Sequence, residues 1–244
     1  VSAGAVGFGT VAANRRPIRA IHRRLVRRFG PLRAPRRTDP LDELILTVLS
    51  QHTSDANADR SFRSLRAGFP TWDAVARART SAVAEAIRSG GLANVKAPRI
   101  QAILRAIRER EGGYTLSFLG TRPDAEVRRY LTSLPGVGPK TAAVVMAFSL
   151  DRLTIPVDTH VHRTARRLGL VSSRTSAERA HRVLDELTPP ELRVDLHVGL
   201  ITLGREVCKA GRPRCEVCPL ADLCPTATVV LDRASAQRSA AAGR

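Results

Sequence analysis

The sequence predicts an all-α fold. Helical spacing of apolar residues recurs from Pro17 to Leu203, strict apolar–polar alternation is nearly absent, and 43% hydrophobic residues supply a core without any run long enough to span a bilayer. A length of 244 residues suits one large domain or two smaller ones, at ~100 to 200 residues each. A composition with 25% charged residues is that of an ordinary globular chain, which excludes wholesale disorder.

Taken in order, Val1 to Asn14 carry no charge and are rich in Gly, Ala and Val, which predicts a disordered tail. They lack the basic leader of a secretory signal, so an intracellular, nucleoid-associated protein of bacterial type is expected. Residues 15–37 hold ten Arg and no acid, with Ile18, Ile21, Leu25 and Phe29 at intervals of three or four. That spacing predicts an amphipathic helix begun near Pro17 and stopped by Gly30 and Pro31. The helix is either a DNA-facing or membrane-surface element, or a core-packed helix with a solvated basic face. Asp39-Pro40-Leu41-Asp42-Glu43 opens an apolar helix through Leu49, with acids in the first turn where the helix dipole favours them. Further helices are predicted over 55–67, 71–78, 80–89, 94–111, 124–133, 140–149, 159–168, 176–187 and 191–203, with Thr71 and Asp124 as N-caps. Residues 226–244 are mainly Ala, Ser and Arg and are expected to fray.

Forty Lys and Arg against 22 Asp and Glu leave a net charge of +18, which calls for a polyanionic partner, nucleic acid before an anionic membrane surface. Only 4% aromatic residues argues against a single-strand or RNA binder built on stacking. More than half of the net charge lies in residues 15–37. The cations are almost all Arg; Lys96, Lys140 and Lys209 are the three lysines, and a lysine kept among arginines can serve through an amine that deprotonates.

Three motifs carry chemistry. In Leu134-Pro135-Gly136-Val137-Gly138-Pro139-Lys140-Thr141-Ala142, two glycines one residue apart permit positive φ, and Pro139 suits a helix start. Such a hairpin can direct backbone amides at a phosphate without reading any base. Lys140 opens the next helix, where partial burial and the positive helix end favour an amine nucleophile; a plain phosphate contact is the competing reading. Eighteen residues on, Ile155-Pro156-Val157-Asp158-Thr159-His160 places Asp158 at a helix start. There it is both a cap and a carboxylate able to stabilise a sugar cation and deprotonate an attacking amine. His160 and His162 lack metal-ligand spacing and fit structural or DNA-contacting roles. Finally Cys208, Cys215, Cys218 and Cys224 form a C-x6-C-x2-C-x5-C loop. Zinc normally takes two C-x2-C pairs and only one is present, so an iron–sulfur cluster is favoured over zinc or disulfides.

The hairpin, the VDTH motif and the cysteine loop, in that order, resemble the endonuclease III branch of the helix-hairpin-helix DNA glycosylases, over about residues 17–225. The resemblance implies a six-helix domain over about 38–152 and a second domain from 15–37 plus 153–225 that holds a 4Fe–4S cluster on the four cysteines, with DNA bound in the cleft between them. It implies Lys140 as the nucleophile at C1′ and Asp158 as its assistant, in a base-excision-repair glycosylase with AP lyase activity on oxidised pyrimidines. The partner is duplex DNA with damaged bases or abasic sites, bound by a monomer through Gly136, Val137 and Gly138, and no membrane is involved. Gly91-Leu92-Ala93-Asn94-Val95-Lys96-Ala97 matches the family's wedge pattern, making Leu92 the wedge. In Leu49-Ser50-Gln51-His52-Thr53-Ser54-Asp55 the match puts His52 where the family has the Gln that fills the vacated stack, and Gln51 one residue earlier. Asp55 matches an Asp at the edge of the family's active site and equally suits a helix N-cap. The His52 departure leaves open a monofunctional or weakly active glycosylase of narrower range. A non-catalytic, cluster-bearing DNA-binding or redox-sensing protein would need neither Lys140 nor Asp158.

Overall fold

The computed structural model describes residues 15–32 and 39–242. The tail expected over Val1 to Asn14 lies outside the described residues, as do Arg33, Arg36 and Arg37 of the basic segment. Among the described residues the regular structure is entirely helical. The chain divides into two compact units, Pro35–Arg152 and Val1–Ala34 with Leu153–Arg244.

The N-terminal helix α1 (Arg15–Phe29) belongs to the split unit. The continuous unit carries α2 (Pro40–Leu49), α3 (Asp55–Gly68), α4 (Trp72–Arg77), α5 (Thr80–Ala86), α6 (Ala93–Glu111), α7 (Asp124–Thr132) and α8 (Pro139–Ser149). Asp39 caps α2 by accepting from the amides of Leu41 and Asp42 at 2.9 and 3.2 Å, and Thr71 caps α4 by accepting from Ala74 N at 3.1 Å. One core joins Leu44, Ile45 and Val48 of α2 to Ile100, Ile103 and Leu104 of α6 and Val145 and Met146 of α8. In α8 every residue from Thr141 to Phe148 is buried, as expected of a helix apolar on all sides.

Two expected caps fall elsewhere. Ser54 caps α3, accepting from Asn57 N at 3.3 Å, so Asp55 is the first residue of the helix and not its cap. The residue before α7 is Pro123; Asp124 lies inside the first turn and pairs with Arg152 Nη1 at 3.3 Å. In each case the carboxylate stands one residue too late to reach the N2 or N3 amide as a cap does.

The split unit joins α1 to α9 (Thr159–Arg167), α10 (Ala177–Leu187), α11 (Arg193–Glu206) and α12 (Pro225–Ala242), with α1 packed on α11. Ile18, Ile21 and Leu25 are buried beside Ile155, Val161, Leu196 and Leu200, so the core-packed reading of the basic helix holds for its apolar face. A Cβ on Gly199 would meet Leu25 Cδ1 and Leu32 Cδ1 at 2.9 Å, which is why α11 carries glycine where α1 crosses it. On the outer face Arg19 pairs with Glu191 at 2.8 Å and Arg24 with Asp222, while Arg23, Arg27 and Arg28 are exposed. The segment expected to fray is instead helix α12. Pro225 starts it, Ala227 is buried, and Thr226 Oγ1 donates to Arg167 O at 3.0 Å. Its many alanines favour helix without producing an apolar stripe, so spacing gave no signal. Among the described residues no helix is long and apolar enough to cross a membrane.

Candidate active site

In the hairpin, Gly136 has φ +71°, Gly138 is extended at φ −92° and ψ 176°, and Pro139 starts α8, which makes Lys140 its second residue. Lys140 is half-buried. Val137 is buried and its amide donates to Leu134 O at 3.1 Å, so this residue anchors the turn. The hydrogen bonds that close the turn leave the amides of Gly136 and Gly138 out. A Cβ on Gly136 would lie 2.6 Å from Arg99 Nε, because the Arg99 side chain runs across this glycine. The same guanidinium donates from Nη1 to Gln51 Oε1 at 2.9 Å. Arg99 therefore brings Gln51 to the hairpin, a tie between positions 48 apart in sequence.

Two loop residues of the same unit hold left-handed backbone that non-glycine residues rarely adopt. His52 has φ 55° and is exposed; Leu92 has φ 51° and ψ 33°, and is 54% exposed. Left-handed geometry costs an L-residue about 1–2 kcal/mol, and Leu92 also leaves a large apolar side chain in water. Leu92 is therefore no part of the core.

In the split unit Asp158 caps α9, its Oδ1 accepting from Val161 N at 2.7 Å, and it remains half-exposed. The segment leading to it is tied on every side. Asp185 accepts from Thr154 Oγ1 and from Ile155 N, both at 2.7 Å; His181 Nδ1 donates to Ile155 O at 3.0 Å and His197 Nδ1 to Pro156 O at 2.7 Å. A carbonyl oxygen can only accept, so both imidazoles carry their proton on Nδ1. His162 is structural: its Nε2 donates to Thr175 O at 2.8 Å. His160 Nδ1 accepts from Arg163 Nη2 at 3.1 Å, and Arg163 also donates to Cys208 O at 3.0 Å and Gly204 O at 2.8 Å. Asp185, His181, His197, Arg163 and Arg99 were missed in sequence, since each acts through partners distant along the chain.

The four cysteines line one pocket with Arg167, Arg214 and Thr226. Arg167 donates from Nη1 to Cys208 Sγ at 3.3 Å and to Lys209 O at 2.6 Å, while Cys224 Sγ lies 3.1 Å from Arg167 O. Burial first, then the neighbouring sulfurs, pushes the thiols of Cys215 and Cys218 above the usual range. Four sulfurs lining one pocket, with a guanidinium on one of them, form a donor set suited to a charged iron–sulfur cluster.

Comparison with known proteins gives the family. Residues 45–190 match the HhH-GPD superfamily base excision DNA repair protein, and residues 208–224 match the iron–sulfur binding domain of endonuclease III. The endonuclease III of Thermotoga maritima is 36% identical over 85% of this chain and 92% of its own. A relative from Arabidopsis thaliana, named as a DNA glycosylase, is 38% identical over 74% of this chain, which spans 64% of that relative's length. A trapped endonuclease III–DNA covalent intermediate superposes with a TM-score of 0.77 at 30% identity, covering 89% of this chain and 98% of the other. Residues 208–224, which contain Cys208, Cys215, Cys218 and Cys224, thus carry a 4Fe–4S binding motif.

Proposed function

Because the chain belongs to the endonuclease III branch of the helix-hairpin-helix base-excision DNA repair superfamily, we propose that it excises oxidised pyrimidines from duplex DNA and then cleaves the strand through an imine at Lys140. That it is an endonuclease III-like DNA glycosylase follows from its family; the lyase half rests on Lys140, a half-buried amine set directly behind the glycine hairpin.

In this reading a monomer binds duplex DNA, and the amides of Gly136 and Gly138 grip a backbone phosphate at the head of α8 while Val137 holds the turn. The damaged base leaves the stack. Leu92 enters as the wedge and His52 as the filler. Gln51, engaged by Arg99, stays at the hairpin. Unprotonated Lys140 Nζ attacks C1′, the glycosidic bond breaks with its electron pair leaving on the base, and the base takes up a proton. Asp158, its carboxylate fixed by Val161 N, offsets the positive charge on the sugar and receives the proton of the attacking amine. Opening of the sugar ring leaves an imine between Nζ and C1′. Loss of a C2′ proton expels the 3′ phosphate, and water then releases the amine. A bound 4Fe–4S cluster supplies a covalent cross-link among the four thiolates and a redox centre; Arg163 joins the cysteine loop to the helix that Asp158 opens.

Borohydride reduction in the presence of a duplex bearing thymine glycol, dihydrouracil or an abasic site is expected to trap a covalent enzyme–DNA adduct. A Lys140→Gln variant that traps as well as wild type overturns the lyase reading. The exposed histidine at the filler position favours one competing reading, a monofunctional enzyme, for which base release should clearly outpace strand cleavage on the same duplexes.

A further inference from the structure

The chain keeps one lysine wholly inside. Lys96 is 1% exposed, and its ammonium donates to two main-chain carbonyls, Leu49 O at 2.7 Å and Gly90 O at 2.9 Å. Burial alone pushes its pKa below the usual lysine value, and no carboxylate among the described residues is paired with it. A side chain retained for packing would be apolar, and one retained for charge would reach solvent. What distinguishes Lys96 is the pair of carbonyls that it joins. Leu49 is the last residue of α2, and its carbonyl is one of those that a helix end leaves without an intrahelical partner. Gly90 closes a single 3-10 turn, Arg88–Gly90.

Each carbonyl stands immediately before a loop that carries a left-handed residue. Beyond Leu49 come Gln51 and His52; beyond Gly90 come Gly91 at φ 68° and Leu92 at φ 51°. Lys96 also closes the second loop through its own backbone, its amide donating to Leu92 O at 2.9 Å. Gly90 has no freedom to retreat, because a Cβ there would lie 2.6 Å from Ser61 Oγ, and that hydroxyl is bonded to Ser89 Oγ at 2.9 Å and Ile87 O at 3.3 Å. Among the described residues the ammonium joins the end of α2 to the turn before Leu92, and it sets the distance between the two loops.

We propose that Lys96 is a positioning residue for base extrusion: by holding Leu49 O and Gly90 O together it fixes the spacing of His52 and Leu92, so that filler and wedge enter the duplex in register. This rests on the DNA glycosylase reading above. Lys96 touches neither substrate nor Lys140 in this role, so the step it governs is insertion and not bond breaking. Misplacing both insertion loops should penalise a substrate whose base must be expelled more than one whose base is already gone.

The test uses the full-length holoenzyme with the variant Lys96→Met, which keeps length and apolar volume but removes both donated bonds. Single-turnover base release from a thymine glycol duplex is expected to fall at least about tenfold, while cleavage of the same duplex with a preformed abasic site changes less than about threefold. The fluorescence rise of 2-aminopurine placed opposite the lesion, which reports insertion into the stack, should be lost. Gly90→Ala is the second variant. It leaves the lysine in place and displaces one acceptor by crowding Ser61, and it should show the same split if Lys96→Met fails to fold. Equal loss on both substrates in either folded variant, or an unchanged 2-aminopurine signal, overturns the proposal. A wild type inactive on every lesion and on the abasic site would overturn the functional reading itself, and this inference with it.

Discussion

The two units hold their chemistry by different means. In the continuous unit, Lys140 and the loops of His52 and Leu92 stand on a broad apolar core, and the loops are tied by Lys96 on two carbonyls and Arg99 on Gln51. In the split unit, Asp158 follows a segment bound by Asp185, His181 and His197, and leads into a helix bound by Arg163 and Arg167 to the cysteine loop. Lys140 thus heads a helix held by volume filling, whereas Asp158 is held by charged and hydrogen-bonded neighbours. The first arrangement is sensitive to cavities and the second to losing a single polar partner, because burying a donor or acceptor unpaired costs about 1–3 kcal/mol.

Substitutions can break this contrast. The largest expected effect is that of Lys140→Gln, which should lower strand cleavage by at least about 10³-fold and abolish borohydride trapping, with thermal unfolding unchanged. Leu104→Ala, at a fully buried position of α6, should cost about 2–5 kcal/mol in urea unfolding. Limited proteolysis of that variant should open sites in residues 39–152 before sites beyond 153. Asp158→Asn separates the two jobs of that residue: asparagine caps nearly as well, so stability should hold within about 0.5 kcal/mol while base release falls about 10²- to 10⁴-fold. A parallel loss of stability and activity would mean that the cap alone explains the aspartate. Arg167→Met should leave the continuous unit untouched yet hasten loss of the iron–sulfur absorbance near ~400 nm on exposure to a chelator. Smallest of all, Leu92→Gly should relieve the left-handed strain and shift stability by less than about 1 kcal/mol in either direction, while base release from a paired lesion slows.

Legibility in sequence tracked distance along the chain. The packing of α1 was readable from Ile18, Ile21 and Leu25 because helical spacing is local, and the hairpin with Lys140 and the cap at Asp158 are local as well. α12 escaped notice because its helix-forming residues are alanines that draw no apolar stripe. Ser54 and Pro123 displaced the caps expected of Asp55 and Asp124 by one residue, a shift that spacing does not resolve. Arg99, Asp185, His181 and His197 could not be read at all, since their partners lie 48, 30, 26 and 41 residues away. The same holds for Lys96, which composition marked as unusual without saying that its amine faces two carbonyls.

The burial of Ile18, Ile21 and Leu25 against residues from Ile155 onward has a consequence for the order of synthesis. A ribosome releases α1 first, and the partners of its apolar face emerge only after the entire continuous unit. Residues 39–152 can condense while the chain is still growing, but α1 must wait, its apolar stripe uncovered, until α11 is complete. The cysteine loop emerges later still. Assembly of the cluster is thereby placed last, on a split unit whose two ends have already met, and a chain truncated before Leu196 would leave the basic helix without α11, the helix it packs on.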